Sequence, residues 1–216
     1  MTRTVRFRTP SARIWAALAG GCLVAATAGC SGDSGGAENG GSHDDSGSQQ
    51  HSHRVSHSGA LQPPEAAQGA VTYDPAAAAA GAQLSVSAQE SGGATAVELT
   101  ATGLSPDRGY AVHAHTDPCG ATGDAAGPHF QHRVDPAATP QQSSTDPAYA
   151  NPDNEIWLEL RTDPTGAGQA STTVPFVFSE RAPASVVLHE EPTTAAAPGE
   201  AGSAGGRVAC LTVPFE

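Results

Sequence analysis

The chain has 216 residues with 10 basic, 22 acidic and nine histidine residues, which gives a formal net charge of −12 and no lysine at all. This charge balance argues against nucleic acid as a partner and against electrostatic attachment to an anionic membrane. The length allows one domain of ordinary size plus additional segments, and the composition shows where those segments lie.

The first 29 residues have the pattern of an export signal. Four arginines precede or open an apolar stretch that runs from residue 14 to residue 29, which is too short for a clear membrane span. The segment Thr27-Ala-Gly-Cys30 resembles a bacterial lipoprotein signal, in which the cysteine is lipidated and becomes the new N-terminus. We therefore expect an exported protein anchored by lipid at Cys30 to the outer face of the cell membrane. An ordinary signal peptide, which would leave the protein secreted, is the alternative.

Residues 30–68 have the composition of a disordered tether. They are mostly Ser, Gly, Asp, Gln and His, and they contain too few large apolar groups to offset the entropy of ordering. Four of the nine histidines lie here, at positions 43, 51, 53 and 57. A solvated linker is the main interpretation, and loose capture of copper or zinc by these histidines is the alternative.

From residue 69 to residue 216 the pattern is that of an all-β domain. Short runs of β-branched and alternating residues are separated by Gly, Pro, Asp and Ser clusters, without helical periodicity. Eight such strands predict an antiparallel sandwich or flattened barrel. Two connections are long enough to carry function, residues 130–154 (the first loop) and residues 190–206 (the second loop). The predicted strands are 71–74, 83–88, 95–102, 109–115, 155–161, 171–178, 184–189 and 207–213.

Three histidines and a cysteine lie close together in the chain between Tyr110 and Phe130. His113 and His115 are two residues apart in a predicted strand, so both imidazoles point to the same face. His129 follows in a Gly-Pro-His-Phe turn, and His189 ends the strand Ser-Val-Val-Leu-His. Imidazole suits copper and zinc, and several imidazoles in a flattened arrangement favour Cu(II). The pattern therefore predicts a metal site.

These segments together resemble the copper/zinc superoxide dismutase family. The family carries Gly-Leu-x-Pro before a His-x-His strand, a Gly-x-His-Phe turn, a Val-x-His strand end and an Ala-Gly-x-Arg-x-Ala-Cys tail. All five pieces occur here in family order, over roughly residues 70 to 216. The resemblance implies an eight-stranded antiparallel Greek-key β-sandwich or flattened barrel with two long functional loops.

The resemblance also implies roles for individual residues. His113, His115 and His189 would bind copper, and His129 would be the ligand that bridges to zinc in two-metal relatives. Arg207 would stand beside the copper and attract superoxide. A disulfide would join Cys119 and Cys210, with two free buried thiols as the alternative.

The zinc site is where this chain departs from the family. Relatives place two further histidines and an aspartate after the bridging histidine, whereas the first loop holds only His132 among histidines. We therefore predict copper without zinc, although His129, His132 and two aspartates are a conceivable replacement set. Without zinc, the second nitrogen of His129 needs another partner, for which the candidates are Asp135, Asp153, Glu155 and His132.

The resulting functional hypothesis is copper-dependent dismutation of superoxide to dioxygen and hydrogen peroxide, as an antioxidant activity at the outer cell surface. Arg207 favours this enzyme. The alternative is a non-catalytic copper-binding lipoprotein that buffers or delivers copper, which the missing zinc ligands and the acidic second loop favour. The membrane would be contacted only through the N-terminal lipid, and the sequence makes no prediction of the oligomeric state.

Overall fold

The computed structural model describes residues 53–139 and 143–215, which form two antiparallel β-sheets and one short 3-10 helix, Gly123–Ala126. The predicted signal segment and Cys30 lie outside the described residues. Within the described part of the chain, no helix is long and apolar enough to span a membrane.

One sheet has four strands and the other has five. The four-stranded sheet has the order β1-β3-β4-β7, and the five-stranded sheet has the order β2-β9-β8-β5-β6. All strand pairs within these sheets are antiparallel. The strands are β1 Arg54–Ala60, β2 Ala70–Thr72, β3 Ala78–Ser91, β4 Ala94–Leu104, β5 Gly109–His115, β6 Trp157–Arg161, β7 Gly168–Val174, β8 Ser185–His189 and β9 Arg207–Thr212.

The two sheets enclose one apolar core because their strands alternate between inward and outward side chains. In β4, Val97 and Leu99 are fully buried while Glu98 between them is exposed. The facing sheet contributes Val112 and Leu188, which pair across β5 and β8. The main hydrophobic core is therefore built mostly from small and branched side chains, together with the aromatic rings of Tyr110, Phe130, Phe176 and Phe215.

Strand β5 is buried on both faces, and this positions two of the candidate site residues, His113 and His115. Val112 and Ala114 point into the core, so the alternating His113 and His115 point to the outer face of the five-stranded sheet. That face is not exposed, since both histidines have 0% of their surface accessible. The long loops cover it.

The all-β sandwich class is confirmed, and the eight predicted strands all have counterparts. The ninth strand, β1, and the fully buried Leu61 that follows it lie within residues 30–68, and for these eight residues the tether prediction is wrong. β1 pairs along its whole length with β3 and packs only Val55 against the core. Gly59 also allows close approach, because a Cβ there would lie 2.8 Å from the Cβ of Ala70. Backbone pairing at a sheet edge requires few apolar residues, so composition alone does not reveal it.

Candidate metal centre

Four histidines converge on the outer face of the five-stranded sheet. His113 and His115 come from β5, and His189 comes from the end of β8, the neighbouring strand. His129 joins them through an isolated bridge between its backbone and that of His115. One ring nitrogen of each lies within 4.8 Å of the others, and all four side chains are buried. The group could therefore hold a metal ion.

Each imidazole has one nitrogen held by a partner outside the cluster. Nδ1 of His115 lies 3.0 Å from the carbonyl oxygen of Gly127, and Nδ1 of His189 lies 3.3 Å from that of Gly205. Nδ1 of His129 lies 3.0 Å from Oε2 of Glu155. For His113 the partnered nitrogen is Nε2, 2.8 Å from Oγ1 of Thr194, while its Nδ1 is buried without any partner. Four nitrogens are thus left to face one another.

The contact between His115 and His189 shows why a cation fits here. Carbonyl oxygens only accept hydrogen bonds, so the Nδ1 atoms of both rings must carry hydrogen. Burial lowers the pKa of His115 well below its ordinary value and that of His189 to about 3, so both rings are neutral at neutral pH. Their Nε2 atoms, 3.3 Å apart, therefore point lone pairs at each other. A metal ion shared by these lone pairs removes the repulsion.

The same chemistry applies to His113. Burial lowers the pKa of its imidazole well below the ordinary value, and repulsion from a proton on any neighbouring histidine would lower it further. A buried nitrogen without a hydrogen-bond partner is costly in a folded protein, by roughly 1–3 kcal/mol. Its Nδ1 lone pair is satisfied if it binds a metal.

Glu155 is the acceptor that fixes His129. Its carboxylate is buried, with 1% of its surface exposed, and it receives three donors. Oε2 accepts from Nδ1 of His129 and from Nε1 of Trp157 at 2.7 Å, and Oε1 accepts from Nε2 of Gln131 at 2.7 Å. A carboxylate behind a ligating imidazole fixes the tautomer and raises ligand basicity. Among the four sequence candidates for this role, the structure places Glu155 against His129.

The other candidates have different contacts. Oδ2 of Asp135 accepts from the hydroxyl of Ser144 at 2.5 Å. The ring of His132 stacks on Phe176 with centroids 4.5 Å apart, and Asp153 is exposed. Among the described residues, the group that could hold a metal contains the four histidines and none of these three.

Arg207 and the histidine cluster share one hydrogen-bond acceptor, the carbonyl oxygen of Gly127. Its Nη2 donates to the carbonyl oxygen of Gly127 at 2.7 Å, the same oxygen that accepts from His115. Its Nη1 donates to the carbonyl oxygen of Gly123 at 2.6 Å. Burial lowers the pKa of Arg207 and the charge of Asp124 opposes that shift, and an arginine in a protein keeps its charge. A fixed cation therefore lies beside the candidate metal centre.

Two neighbouring cavities approach the centre. One of about 310 Å³ is lined by Arg207 together with Asp117 and Asp124. The other, of about 290 Å³, is lined by His129. Pro128 and Ser143 line both cavities. A small anion entering the first would meet one fixed positive charge and two carboxylates.

The predicted cysteine pair forms a disulfide. Cys119 lies in the segment after β5 and Cys210 in β9, with Cα atoms 5.8 Å apart. Cys210 is buried beside Val187 and Ala126. The bridge ties the segment that carries Gly123 and Gly127 to the strand that carries Arg207.

Sequence reasoning found the four histidines but missed several of the groups that hold them. Thr194 was not identified, because a single threonine in a loop carries no motif. The carbonyl oxygens of Gly127 and Gly205 are backbone groups that no side-chain pattern reveals. Trp157 had a usable signal, since it lies two residues after Glu155 and so can share its face.

No protein family model and no curated protein sequence matches this chain. Among solved structures, the chain is similar to a Cu/Zn superoxide dismutase from Brucella abortus, with 18% sequence identity and a TM-score of 0.44. The similarity covers 76% of this chain and 99% of that one. What the four histidines can do chemically follows from their own hydrogen-bond contacts in this chain.

Proposed function

We propose that this protein is a copper-dependent superoxide dismutase that works without zinc. The observation that carries the proposal is the set of four buried imidazoles, each with one nitrogen fixed and the other turned towards the rest. A purely imidazole ligand set without thiolate or carboxylate is suited to copper. His113, His115, His129 and His189 would hold the ion, which would supply the one-electron reduction and oxidation that dismutation requires.

Glu155 supports the part of the proposal that concerns zinc. In a two-metal site, the second nitrogen of the bridging histidine faces zinc. Here that nitrogen of His129 faces a buried carboxylate that also accepts from Gln131 and Trp157. The carboxylate supplies the negative charge and the orientation, so His129 needs no second metal to be held.

Arg207 is the residue that we expect to bind the substrate. Superoxide is an anion and the chain as a whole is acidic, so the protein repels its substrate at long range and a local cation matters. The guanidinium is fixed by two backbone carbonyls, and Arg207 lines one of the two cavities beside the site. Dismutation consumes two superoxide ions and two protons and gives dioxygen and hydrogen peroxide.

A second candidate is a copper-binding protein without catalysis. Asp117 and Asp124 line the same cavity as Arg207, and their charges reduce its attraction for an anion. A site that holds copper but admits superoxide poorly would buffer or deliver the metal.

The test is superoxide dismutation by the mature chain from Cys30 onward, loaded with copper alone or with copper and zinc. We expect equal activity under both loadings. Arg207→Ala should lower kcat/KM at least about tenfold, while Arg161→Ala, which removes an exposed cation on β6, should have little effect. Tight copper binding without dismutation under either loading would favour the buffering protein instead.

The proposed location is the outer face of the cell membrane, with lipid attached at Cys30. The support is the sequence Thr27-Ala-Gly-Cys30 after a basic and apolar leader. Mass spectrometry of the N-terminal peptide from membranes should show a lipid on this cysteine. Cys30→Ser should release the protein from the membrane fraction, and an unchanged distribution would contradict the lipid anchor.

A further inference from the structure

The four ligand histidines are not held by equivalent partners. Carbonyl oxygens hold His115 and His189, and a carboxylate holds His129. These groups only accept, so each of them enforces a single tautomer of its imidazole. His113 is held by the hydroxyl of Thr194, which can either accept or donate a hydrogen bond. Its tautomer is therefore the least constrained of the four by chemistry alone.

The orientation of His113 consequently depends on where Thr194 is placed. When Nε2 donates to the hydroxyl, the Nδ1 lone pair faces the other three rings. The opposite arrangement puts hydrogen on Nδ1, which is buried and has no acceptor. Burial of Nδ1 thus favours the metal-binding tautomer only as long as the hydroxyl oxygen stays 2.8 Å from Nε2.

The second loop fixes Thr194 from both sides. Before it, Pro192 packs so closely on β5 that a Cβ on Gly109 would lie 2.6 Å from the Cβ of Pro192. After it, Ala195 donates its backbone N–H to Ser203 and accepts from Gly202, both at 2.9 Å. Thr194 itself is half-buried. The hydroxyl is therefore held by packing on one side and by a backbone pair on the other.

We propose that Thr194 is a positioning residue that presents Nδ1 of His113 to the metal and sets how tightly the site retains it. The inference rests on the copper site proposed above. A hydroxyl is a weaker acceptor than a carboxylate, so His113 is the ligand whose hold on the metal is most easily lost. The second loop, although it supplies no ligand, then determines metal retention through this contact.

Copper affinity measured by competition with a chelator tests the proposal without any activity assay. Thr194→Val keeps the shape and removes the hydroxyl, and we expect roughly 10- to 100-fold weaker binding together with an altered electron paramagnetic resonance spectrum of the Cu(II) form. Thr194→Ser keeps the hydroxyl and should restore affinity to within about threefold of wild type. Thr193→Val changes the exposed neighbouring residue and should match wild type in both measurements.

Gly109→Ala provides an independent variant that leaves Thr194 chemically intact. The added methyl group displaces Pro192, and through it the hydroxyl, so affinity should fall by an intermediate factor. Wild-type affinity and spectrum in Thr194→Val would overturn the inference, as would failure of serine to restore binding. Absence of tight copper binding in the wild-type protein would instead refute the proposed copper site, so the two failures are distinguishable.

Discussion

The two long loops cover the same four histidines but are held in place by different kinds of interaction. The first loop is held by buried side chains, since Gln131 links Glu155 to the backbone of Asp135, and Asp135 accepts from Ser144. The second loop is held mainly by its backbone. Glu190 donates to Gly206 at 2.8 Å, and Glu191 donates to Ala204 at 2.9 Å.

This difference determines how each loop acts on the four histidines. The first loop acts on His129 through Gln131, which donates to the carboxylate of Glu155 just after the loop, so its effect depends on the identity of a few residues. The second loop brings a carbonyl to His189 and a hydroxyl to His113, so its effect depends mainly on the path of the chain. Side-chain substitutions should therefore be severe at Glu155 and at the residues of the first loop that hold it, and mild in the second loop except at Thr194, unless they alter the backbone path.

The largest effect is expected from Glu155. Glu155→Ala leaves three donors without an acceptor, those of His129, Gln131 and Trp157. We expect the free energy of unfolding to fall by roughly 3–5 kcal/mol and copper affinity to fall roughly 10- to 100-fold. Urea unfolding of the metal-free protein and chelator competition measure the two effects.

Two further variants show whether the carboxylate itself is needed. Glu155→Gln keeps the shape of the side chain but presents an amide N–H to neighbours that are themselves donors. Its copper affinity should therefore be nearly as low as that of Glu155→Ala. Asp153→Asn neutralises an exposed carboxylate nearby and should resemble wild type. Equal behaviour of the two amide variants would show that negative charge near His129, and not this contact, is what the site requires.

The sequence reveals side-chain chemistry far better than backbone chemistry, and the loops show why. Glu155 was among the candidate partners of His129 because a lone imidazole nitrogen requires an acceptor and few carboxylates were near. The carbonyl of Gly205 could not be found, because every residue has one and only the folded path selects it. β1 was missed for the same reason, since it is held by backbone pairing to β3.

The alternation of inward and outward side chains along β5 was predictable, because successive residues of a strand point to opposite faces of the sheet. Val112 facing the core dictates that His113 faces outward, whatever the rest of the chain does. The convergence of His189 on the same face depends on which strand lies beside β5. Local patterns do not determine the strand order. Only the resemblance of all five motifs together to a known family indicated it.

An intermediate effect is expected from pH, through the imidazoles that the loops bury. The pKa of His189 is lowered to about 3, and those of His113 and His115 are also well below the ordinary value of 6.5. The unfolded chain therefore binds protons that the folded, metal-free protein does not. Stability should be complete above about pH 6.5 and decrease as pH falls from there towards 3, by up to about 1.4 kcal/mol per pH unit for each imidazole.

Urea unfolding of the metal-free protein between pH 7 and pH 4.5 measures this slope. His189→Gln removes one of the three buried imidazoles whose pKa is lowered and should reduce the slope, whereas His57→Gln, at an exposed position on β1, should leave it unchanged. A slope that does not respond to His189→Gln would show that other groups dominate the acid sensitivity of the protein.

The smallest effect should come from a pair of glycines in the second loop, and it separates backbone strain from contact with the site. Gly199 and Gly202 have φ values of 84° and 80°, so alanine at either position should cost about 1–2 kcal/mol of stability. A Cβ at Gly199 would contact nothing within 4 Å, but at Gly202 it would lie 3.6 Å from Nδ1 of His129 and 3.3 Å from Ala150. We expect similar losses of stability from the two variants and a severalfold loss of copper affinity from Gly202→Ala alone. If Gly199→Ala lowered copper affinity equally, the path of the whole second loop, and not its contact with His129, would control the ligand.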